Sequence, residues 1–309
     1  MHRLWSALAT RRKFRAMAVF SNSTRGTADI VHGMNILLTG ATGKVGSRLA
    51  GRLARDGHAV RALLRDRARA AGLPGHGIEL VDGDLTDPRT LHAAMQGIDA
   101  VVHCAAFFRG ATPEQAHAVN DLGTRHLAQA AREAGVARFV FTSTGLVYGA
   151  NGGALAREDD ACAPVDAYPR SKLEAERMLL AMDALDVRIL RLPFVYGDGD
   201  PHIEEVVPLM QAFPPAQRMS IAHHVDVAQA VMLLLAEASP AHRIYNLTDD
   251  EAPDLATLFA SVGAPPPDGS DPDHARAFAA VLDGRRLRDE LGFRPRYPRL
   301  ADAVAAGQA

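Results

Sequence analysis

Three side chains midway along the chain have the types and spacing to move a proton at a carbonyl or carbinol oxygen. Tyr168 and Lys172 stand four residues apart, which on a helix puts them on one face, one turn apart. An ammonium group near a phenol favours the phenolate and draws a tyrosine below its ordinary pKa of about 10. Tyr168 then becomes a general acid/base. Thr144 lies in the run Thr142–Ser143–Thr144–Gly145–Leu146–Val147–Tyr148–Gly149 and offers a hydroxyl to hold the same oxygen. A Tyr and a Lys at helical spacing are common in any protein; what makes this pair informative is the run Thr39–Gly40–Ala41–Thr42–Gly43–Lys44–Val45–Gly46 ahead of it. Glycine at 40, 43 and 46 lets a turn be tight, lets backbone approach a pyrophosphate, and lets the next helix pack close to a sheet. The N-terminus of that helix offers N–H groups and partial positive charge to the phosphates. The spacing is G-x-x-G-x-x-G rather than G-x-G-x-x-G, so its position directly after a first strand carries the assignment.

Groups of this kind need rigid elements to hold them. The runs Asn35–Thr39, Ala59–Leu64, Ile78–Val81, Ala100–His103, Arg138–Thr142, Val187–Leu192 and Arg243–Leu247 are short and nearly continuously apolar, the pattern of strands covered on both faces. Between them lie Ala-rich, helix-competent segments at Val45–Arg55, Pro88–Met95, Pro113–Ala134, Ser171–Ala184 and Val225–Ala236. The alternation predicts an α/β fold, a doubly wound parallel sheet (Rossmann fold) with right-handed connections. Ligands of such sheets bind beyond the carboxyl ends of the strands, where the residues above fall. Regularity breaks after Pro193: residues 197–220 and 263–275 are rich in Pro, Gly and Asp. With helix-like stretches at 202–213, 253–262 and about 284–291, they predict a small C-terminal substrate lobe. The division is a cofactor domain of 34–196 plus 222–248 and a substrate-binding lobe of 197–221 plus 249–309.

Residues 1–33 differ from the rest. Arg3, Arg11, Arg12, Lys13, Arg15 and Arg25 precede the first acid, Asp29. Such a composition suits a transit peptide, but no cleavage signal is visible and Met34 opens directly into a strand pattern, so the segment is read as a disordered or mis-started extension. The chain of 309 residues is 48% hydrophobic with formal net charge -2, ample for a full core and without the basic footprint of a nucleic-acid binder. Two cysteines, Cys104 and Cys162, support neither a disulfide framework nor a metal site, and point to a reducing, cytoplasmic setting. No apolar run approaches the ~20 residues of a membrane span.

The end of the second strand selects the dinucleotide. An NAD site places an acid there for the ribose 2′-hydroxyl. Here Leu64 is followed by Arg65, and a guanidinium pairs with a 2′-phosphate where a carboxylate repels it. NADP(H) is therefore expected, with NAD(H) as the alternative. After the fourth strand, Cys104–Ala105–Ala106 are small enough for the backbone to pass beneath the nicotinamide and its ribose.

In this order the motifs resemble the extended short-chain dehydrogenase/reductase superfamily of NAD(P)-dependent epimerases, dehydratases and reductases. The matching residues are Thr39–Gly46, Gly83–Asp84–Leu85, Val102–Ala106, Asn120 with Gly123–Thr124, Thr142–Gly149, Tyr168–Lys172, Arg191–Gly197 and His223–Ala228. The resemblance implies that Asp84 and Leu85 sit against the adenine and that Ala105 and Ala106 line the nicotinamide ribose. It implies that Thr144, Tyr168 and Lys172 are catalytic, Lys172 also holding the ribose hydroxyls. Pro193, Phe194 and Val195 cover the nicotinamide, Ser143 is a substrate or scaffold hydroxyl, and Asn120 fixes the helix after strand four. A homodimer built on the helices after strands four and five is implied as well.

Departures from the family pattern narrow the chemistry. The acid pair that dehydratases carry after the catalytic Thr is replaced by Gly145 and Leu146. The insertion that holds the diphosphate in sugar-nucleotide epimerases is reduced to Asp198–Ala222. In the later motif, His223–His224–Val225–Asp226, Val225 replaces an acid; its His and Asp are expected to link lobe and sheet. The leading reading is an NADP(H)-dependent oxidoreductase of a small carbonyl or alcohol. The alternatives are an NAD-retaining epimerase and a non-catalytic NADPH sensor. Phe107, Phe108, Arg109, Phe194, Phe213 and Met219 form an apolar substrate pocket in this reading, or ordinary lobe core.

Overall fold

The computed structural model describes residues 33–309 other than 74–76, 109, 111, 152 and 153. Residues 1–32 of the N-terminal segment, and Arg109 of the expected pocket, lie outside the described residues. In chain order the strands are β1 (Asn35–Thr39), β2 (Ala59–Leu64), β3 (Glu79–Asp82), β4 (Ala100–His103), β5 (Arg138–Thr144), β6 (Leu155–Ala156), β7 (Asp186–Leu192), β8 (Phe194–Tyr196), β9 (Ile221–His223), β10 (Ile244–Asn246) and β11 (Val281–Leu282). The helices that matter here are α1 (Lys44–Arg55), α2 (Pro88–Ala94), α3 (Pro113–Ala116), α4 (Gly123–Glu133), α5 (Ala167–Leu180), α6 (His202–Met210) and α7 (His224–Ala236).

Seven strands form one parallel sheet in the order β10-β7-β5-β4-β1-β2-β3. Alternation of side chains divides it into two cores. Ile36 and Leu38 of β1 join Val60 and Ala62 of β2 on one face, against Leu49 and Leu53 of α1 and Val227 and Val231 of α7. Leu37 points to the other face with Val101, Phe139 and Phe141, against Leu91 of α2, Leu127 of α4 and Leu179 of α5. Every β-strand residue from Ile36 to Leu38 is fully buried, each apolar side chain contributing ~1.5–3 kcal/mol to the driving force for folding. This is the doubly wound architecture that the apolar runs predict, and strand order reverses at β1, which pairs with both β2 and β4. A crevice opens there at the carboxyl ends of the strands.

Two helical segments differ from expectation. Helix α5 begins at Ala167, before Ser171. Tyr168 and Pro169 fit its first turn because those N–H groups need no intrahelical acceptor. It ends at Leu180, and Ala184, with φ +63°, stands in a left-handed conformation that no helix continues through. The single helix expected over 113–134 is α3, a π-helical turn at His117–Leu122 and α4. The wider turn brings fully buried Asn120 round to bridge two neighbours. Its Oδ1 accepts the Phe107 N–H at 2.7 Å, and its Nδ2 donates to the Phe107 carbonyl and to Ser171 Oγ at 2.9 and 3.0 Å.

The C-terminal segments have their own apolar cluster: Tyr196, Ile203, Phe213, Met219, Ile221, Leu255, Leu258 and Leu300 are among its buried members. Short parallel pairs tie it to the rest, β8 with β9 and β6 with β11. Residues His32–Ala309 form one compact unit. No helix among the described residues is long and apolar enough to cross a membrane.

Candidate active site

The glycine loop folds where β1 meets the segment after β4. Gly40 has φ +71°, and a Cβ there would stand 2.6 Å from the Ala105 nitrogen, so only glycine admits this crossing. A Cβ on Gly46 would stand 2.1 Å from the Gly40 oxygen, which packs α1 directly beneath the turn. Gly43 N–H closes the turn on the Gly40 carbonyl at 2.9 Å. Gly43 caps α1 without a side-chain hydrogen bond, and no acid stands in the first turn. A helix start of that kind receives anions, and the cradle that a Cβ would fill fits a dinucleotide pyrophosphate.

Beneath the loop runs a buried polar relay. Thr39 Oγ1 meets His103 Nδ1 at 2.6 Å, His103 Nε2 meets Thr124 Oγ1 at 2.8 Å, and Thr124 donates to the Asn120 carbonyl at 2.6 Å. Thr39 Oγ1 also accepts the Ala105 N–H at 3.2 Å. Burial, with the nearby Lys172 charge, holds the His103 imidazole well below its ordinary pKa, so it is a neutral strut linking β1, β4 and α4.

A cavity of about 520 Å³ lies at the carboxyl ends of β1, β4 and β5. It joins Gly40, Gly43, Lys44, Val45 and Gly46 to Ala106, to Ser143 and Thr144, to Tyr168 and Lys172, and to Pro193, Phe194 and Val195. Residues that the sequence spreads over more than 150 positions thus share one space. Tyr168 is half-buried and packs its ring 4.5 Å from that of Phe108, on the same cavity wall as Thr144. Thr144 Oγ1 accepts the Leu146 N–H at 3.2 Å. Lys172 is 1% exposed, with Nζ 3.9 Å from the Phe141 ring centroid. Ser143 is buried, and its Oγ has no hydrogen-bond partner among the described residues.

The electrostatics correct one expectation. Burial pushes the Tyr168 hydroxyl up to about 12, opposed by its hydrogen bond with Thr144, instead of Lys172 drawing it down. Lys172 is itself desolvated to about 7, with Cys104 and Glu176 acting the other way. In the protein alone, removal from water dominates both groups.

Several expected residues lie apart from the cavity wall. Thr42 is half-buried in the glycine loop. Arg65 is exposed just beyond β2, without an ion pair or hydrogen bond among the described residues. Asp84 Oδ1 accepts from the Thr86 N–H and Oγ1, both at 2.8 Å, and buried Leu85 packs under Gly123. Ala106 lines the cavity and Ala105 does not. Phe107 is held through its backbone by Asn120, and Phe108 reaches the cavity in its place; Phe213 belongs to the C-terminal cluster, whereas Phe194 and Met219 reach the wall. His223 and Asp226 bond the C-terminal segment: His223 Nε2 meets the Gln308 carbonyl at 2.8 Å, and Asp226 accepts from the Arg296 and Tyr297 N–H groups.

An ion cluster not expected from the sequence lines the cavity. Lys44 Nζ donates to Asp200 Oδ1 at 2.5 Å and to Glu205 Oε1 at 3.1 Å, and His224 Nε2 meets Asp200 Oδ2 at 2.9 Å. The second His of the His223–His224 motif was the available signal. Elsewhere, His117, Asp121 and Glu174 gather their ligand-capable atoms within 4.8 Å; His117 Nδ1 lies 3.3 Å from Asp121 Oδ2.

Fold and glycine cradle together define a dinucleotide-binding protein of the Rossmann class. The model of the NAD dependent epimerase/dehydratase family matches residues 36–248. The 4-hydroxy-2-methyl-3-oxo-4-farnesyl-3,4-dihydroquinoline-1-oxide ketoreductase of Stigmatella aurantiaca is 30% identical over 288 residues, 88% of this chain and 86% of that protein. Sterol demethylase protein B of Methylococcus capsulatus is 36% identical over 174 residues, 54% of this chain; the match spans 53% of that relative, about half its length. The solved structure of DesIV, a dTDP-glucose 4,6-dehydratase from Streptomyces venezuelae with NAD and TYD bound, superimposes with TM-score 0.75 at 28% identity, covering 88% of this chain and 95% of that one. The chain belongs to the NAD dependent epimerase/dehydratase family, within the extended short-chain dehydrogenases/reductases.

Proposed function

We propose that the protein is an NADP(H)-dependent oxidoreductase that transfers hydride to or from a carbonyl or alcohol, using Thr144, Tyr168 and Lys172. The observation that carries this reading is that Thr144, Tyr168 and Lys172 line the same cavity as the glycine cradle. The cofactor, held by Gly40 to Gly46 and by Ala105 and Ala106, supplies the hydride. Tyr168, kept protonated by burial, donates its phenolic proton to the substrate oxygen as the carbonyl carbon is reduced. Thr144 already accepts from Leu146, which leaves its own hydrogen to donate to that oxygen. Lys172, one turn along α5, faces the phenolate that results, and a positive neighbour favours that anion. In the oxidative direction the phenolate takes the proton back.

Gly145 supports redox chemistry over dehydration. A Cβ there would stand 2.9 Å from Leu282 Cδ1, so the lobe occupies the space that a carboxylate side chain needs. The separate C-terminal apolar cluster supports reading 197–221 and 249–309 as the substrate lobe. The homodimer belongs to the α4–α5 face, where Met178 and Met182 border a groove with Arg125 and Arg132.

Titration with NADPH and NADH, followed by nicotinamide fluorescence, tests the cofactor assignment. NADPH is expected to bind at least about tenfold more tightly, and Arg65→Asp to erase the difference, as loss of one charge-assisted contact does. Equal binding in the parent protein overturns the role of Arg65. Tyr168→Phe is expected to keep NADPH affinity and to lower turnover of a carbonyl substrate by about 10²–10⁴-fold. An NAD-retaining epimerase would instead purify with its nucleotide bound and turn over with none added.

A further inference from the structure

A buried charge on a ligand has to be met by the wall that holds it: a diphosphate needs guanidinium, ammonium or helix-terminal N–H groups within reach. Beyond the glycine loop and Tyr168, the cavity is walled by Phe108, Leu146, Met210, Met219, Phe278 and Leu282. Lysines among the described wall residues are Lys44 and Lys172. Lys44 is held by Asp200 and Glu205 at 2.5 and 3.1 Å, and Lys172 lies over the Phe141 ring. His224 is bonded to Asp200, while His202 Nδ1 meets the Val195 carbonyl at 2.9 Å and its ring stacks on Phe194. Asp200 and Glu205 are themselves carboxylates on this wall. A nucleotide diphosphate entering here meets thioethers, rings and acids. An uncharged ring or chain meets surface that gains by leaving water.

One polar group of the wall stands ready. Ser143 Oγ, beside Thr144, is buried and has no hydrogen-bond partner among the described residues. A buried hydroxyl in that condition is unfavourable until an oxygen is bound to it.

We propose that the substrate is an uncharged, largely apolar ketone, or its alcohol, with a second oxygen close to the reacting one. Its body packs against Met210, Met219, Phe278 and Leu282. The reacting oxygen sits between Thr144 and Tyr168, and the second oxygen bonds Ser143 Oγ. The reaction rests on the oxidoreductase reading: the carbonyl carbon gains hydride from the reduced nicotinamide, the oxygen gains the Tyr168 proton, and the nicotinamide is oxidised. The choice of ligand rests on the wall alone.

The test uses the full chain saturated with NADPH. Turnover of cyclohexanone, 2-decalone and 2-hydroxycyclohexanone is followed by NADPH absorbance. Binding of 2-decalone and of UDP-glucose to the Tyr168→Phe–NADPH complex is followed by calorimetry, NADPH binding itself reporting that the variant is folded. The second ring of 2-decalone is expected to raise kcat/KM at least about tenfold over cyclohexanone, following the apolar area buried. Its binding is expected to carry a negative heat-capacity change and to be at least about tenfold tighter than that of UDP-glucose. The 2-hydroxyl is expected to raise kcat/KM in the parent protein, and Ser143→Ala to remove that gain; equal losses for both cyclohexanones overturn the Ser143 contact. UDP-glucose binding as tightly as 2-decalone overturns the substrate class. NADPH oxidation that is no faster with the larger ketone also sinks the class while keeping the reaction. Tight 2-decalone binding without NADPH oxidation keeps the class and sinks the reaction.

Discussion

Around helix α5 the core holds two cations, Arg191 and Lys172, in opposite circumstances. Arg191, on β7, is 3% exposed. It forks onto Glu176 of α5, with Nη2 donating at 2.6 Å and Nε at 3.1 and 3.2 Å. Its Nη1 donates to Tyr148 Oη at 2.6 Å, and Tyr148 donates in turn to Asn246 Oδ1 at 2.9 Å. Burial pulls the guanidinium down, but the bonds and charge of Glu176 outweigh it and leave Arg191 above its ordinary pKa. Lys172 lies one turn before Glu176 on the same helix and is equally buried, yet it ends at about 7. Desolvation wins there because no carboxylate among the described residues meets the ammonium with a hydrogen bond, and the Phe141 ring face supplies less. A buried charge that is fully paired is a strut; one left underpaired is held ready for chemistry.

Breaking the strut is expected to have the largest effect. Glu176→Gln leaves the Arg191 charge buried without its counter-ion and is expected to cost about 3–5 kcal/mol of stability, read by urea unfolding. A cost below about 1 kcal/mol would place this pair with solvent-exposed ones and dissolve the contrast. Lys172→Met is expected to act in the opposite direction, stabilising the protein at pH 7 by about 2–4 kcal/mol, since each pKa unit corresponds to about 1.4 kcal/mol. The gain depends on pH. Below about 7, folded and unfolded chains both carry the Lys172 proton and the full penalty is present. Between about 7 and the ordinary value of 10.5, the unfolded chain holds more protons, so the parent protein gains stability as pH rises. Unfolding of parent and variant should therefore converge toward pH 10.5; parallel curves would mean that Lys172 is not desolvated in solution. Tyr148→Phe sharpens the contrast most finely. It removes one bond from Arg191 and one to Asn246 and is expected to cost about 1–3 kcal/mol, less than losing Glu176.

The sheet was legible in the sequence to within a residue or two at most ends, because strands buried on both faces carry continuous apolar runs. Strands β6, β8, β9 and β11, two or three residues each, were not, since so short a run has no period to read. The glycine loop was legible because the clash at Gly40 and Gly46 is a backbone matter that only residue type can relieve. That Phe108 reaches the cavity wall while Phe107, expected there with it, does not, was not legible: Asn120, in a π-helical turn, grips the Phe107 backbone. The Lys44–Asp200 contact joins residues 156 apart, beyond any local signal.

By itself, the order of residue types determined the strands and their alternation with helices, the glycine cradle, and the pairing of Tyr168 with Lys172 on one helical face. Each follows from local geometry or from a period of two or about 3.6. Tertiary structure decided the ionisation of those groups, the capture of Lys44 by Asp200 and Glu205, and the lack of a partner for Ser143 Oγ among the described residues. These depend on how much water is excluded and which distant side chains arrive, quantities that only the folded packing sets.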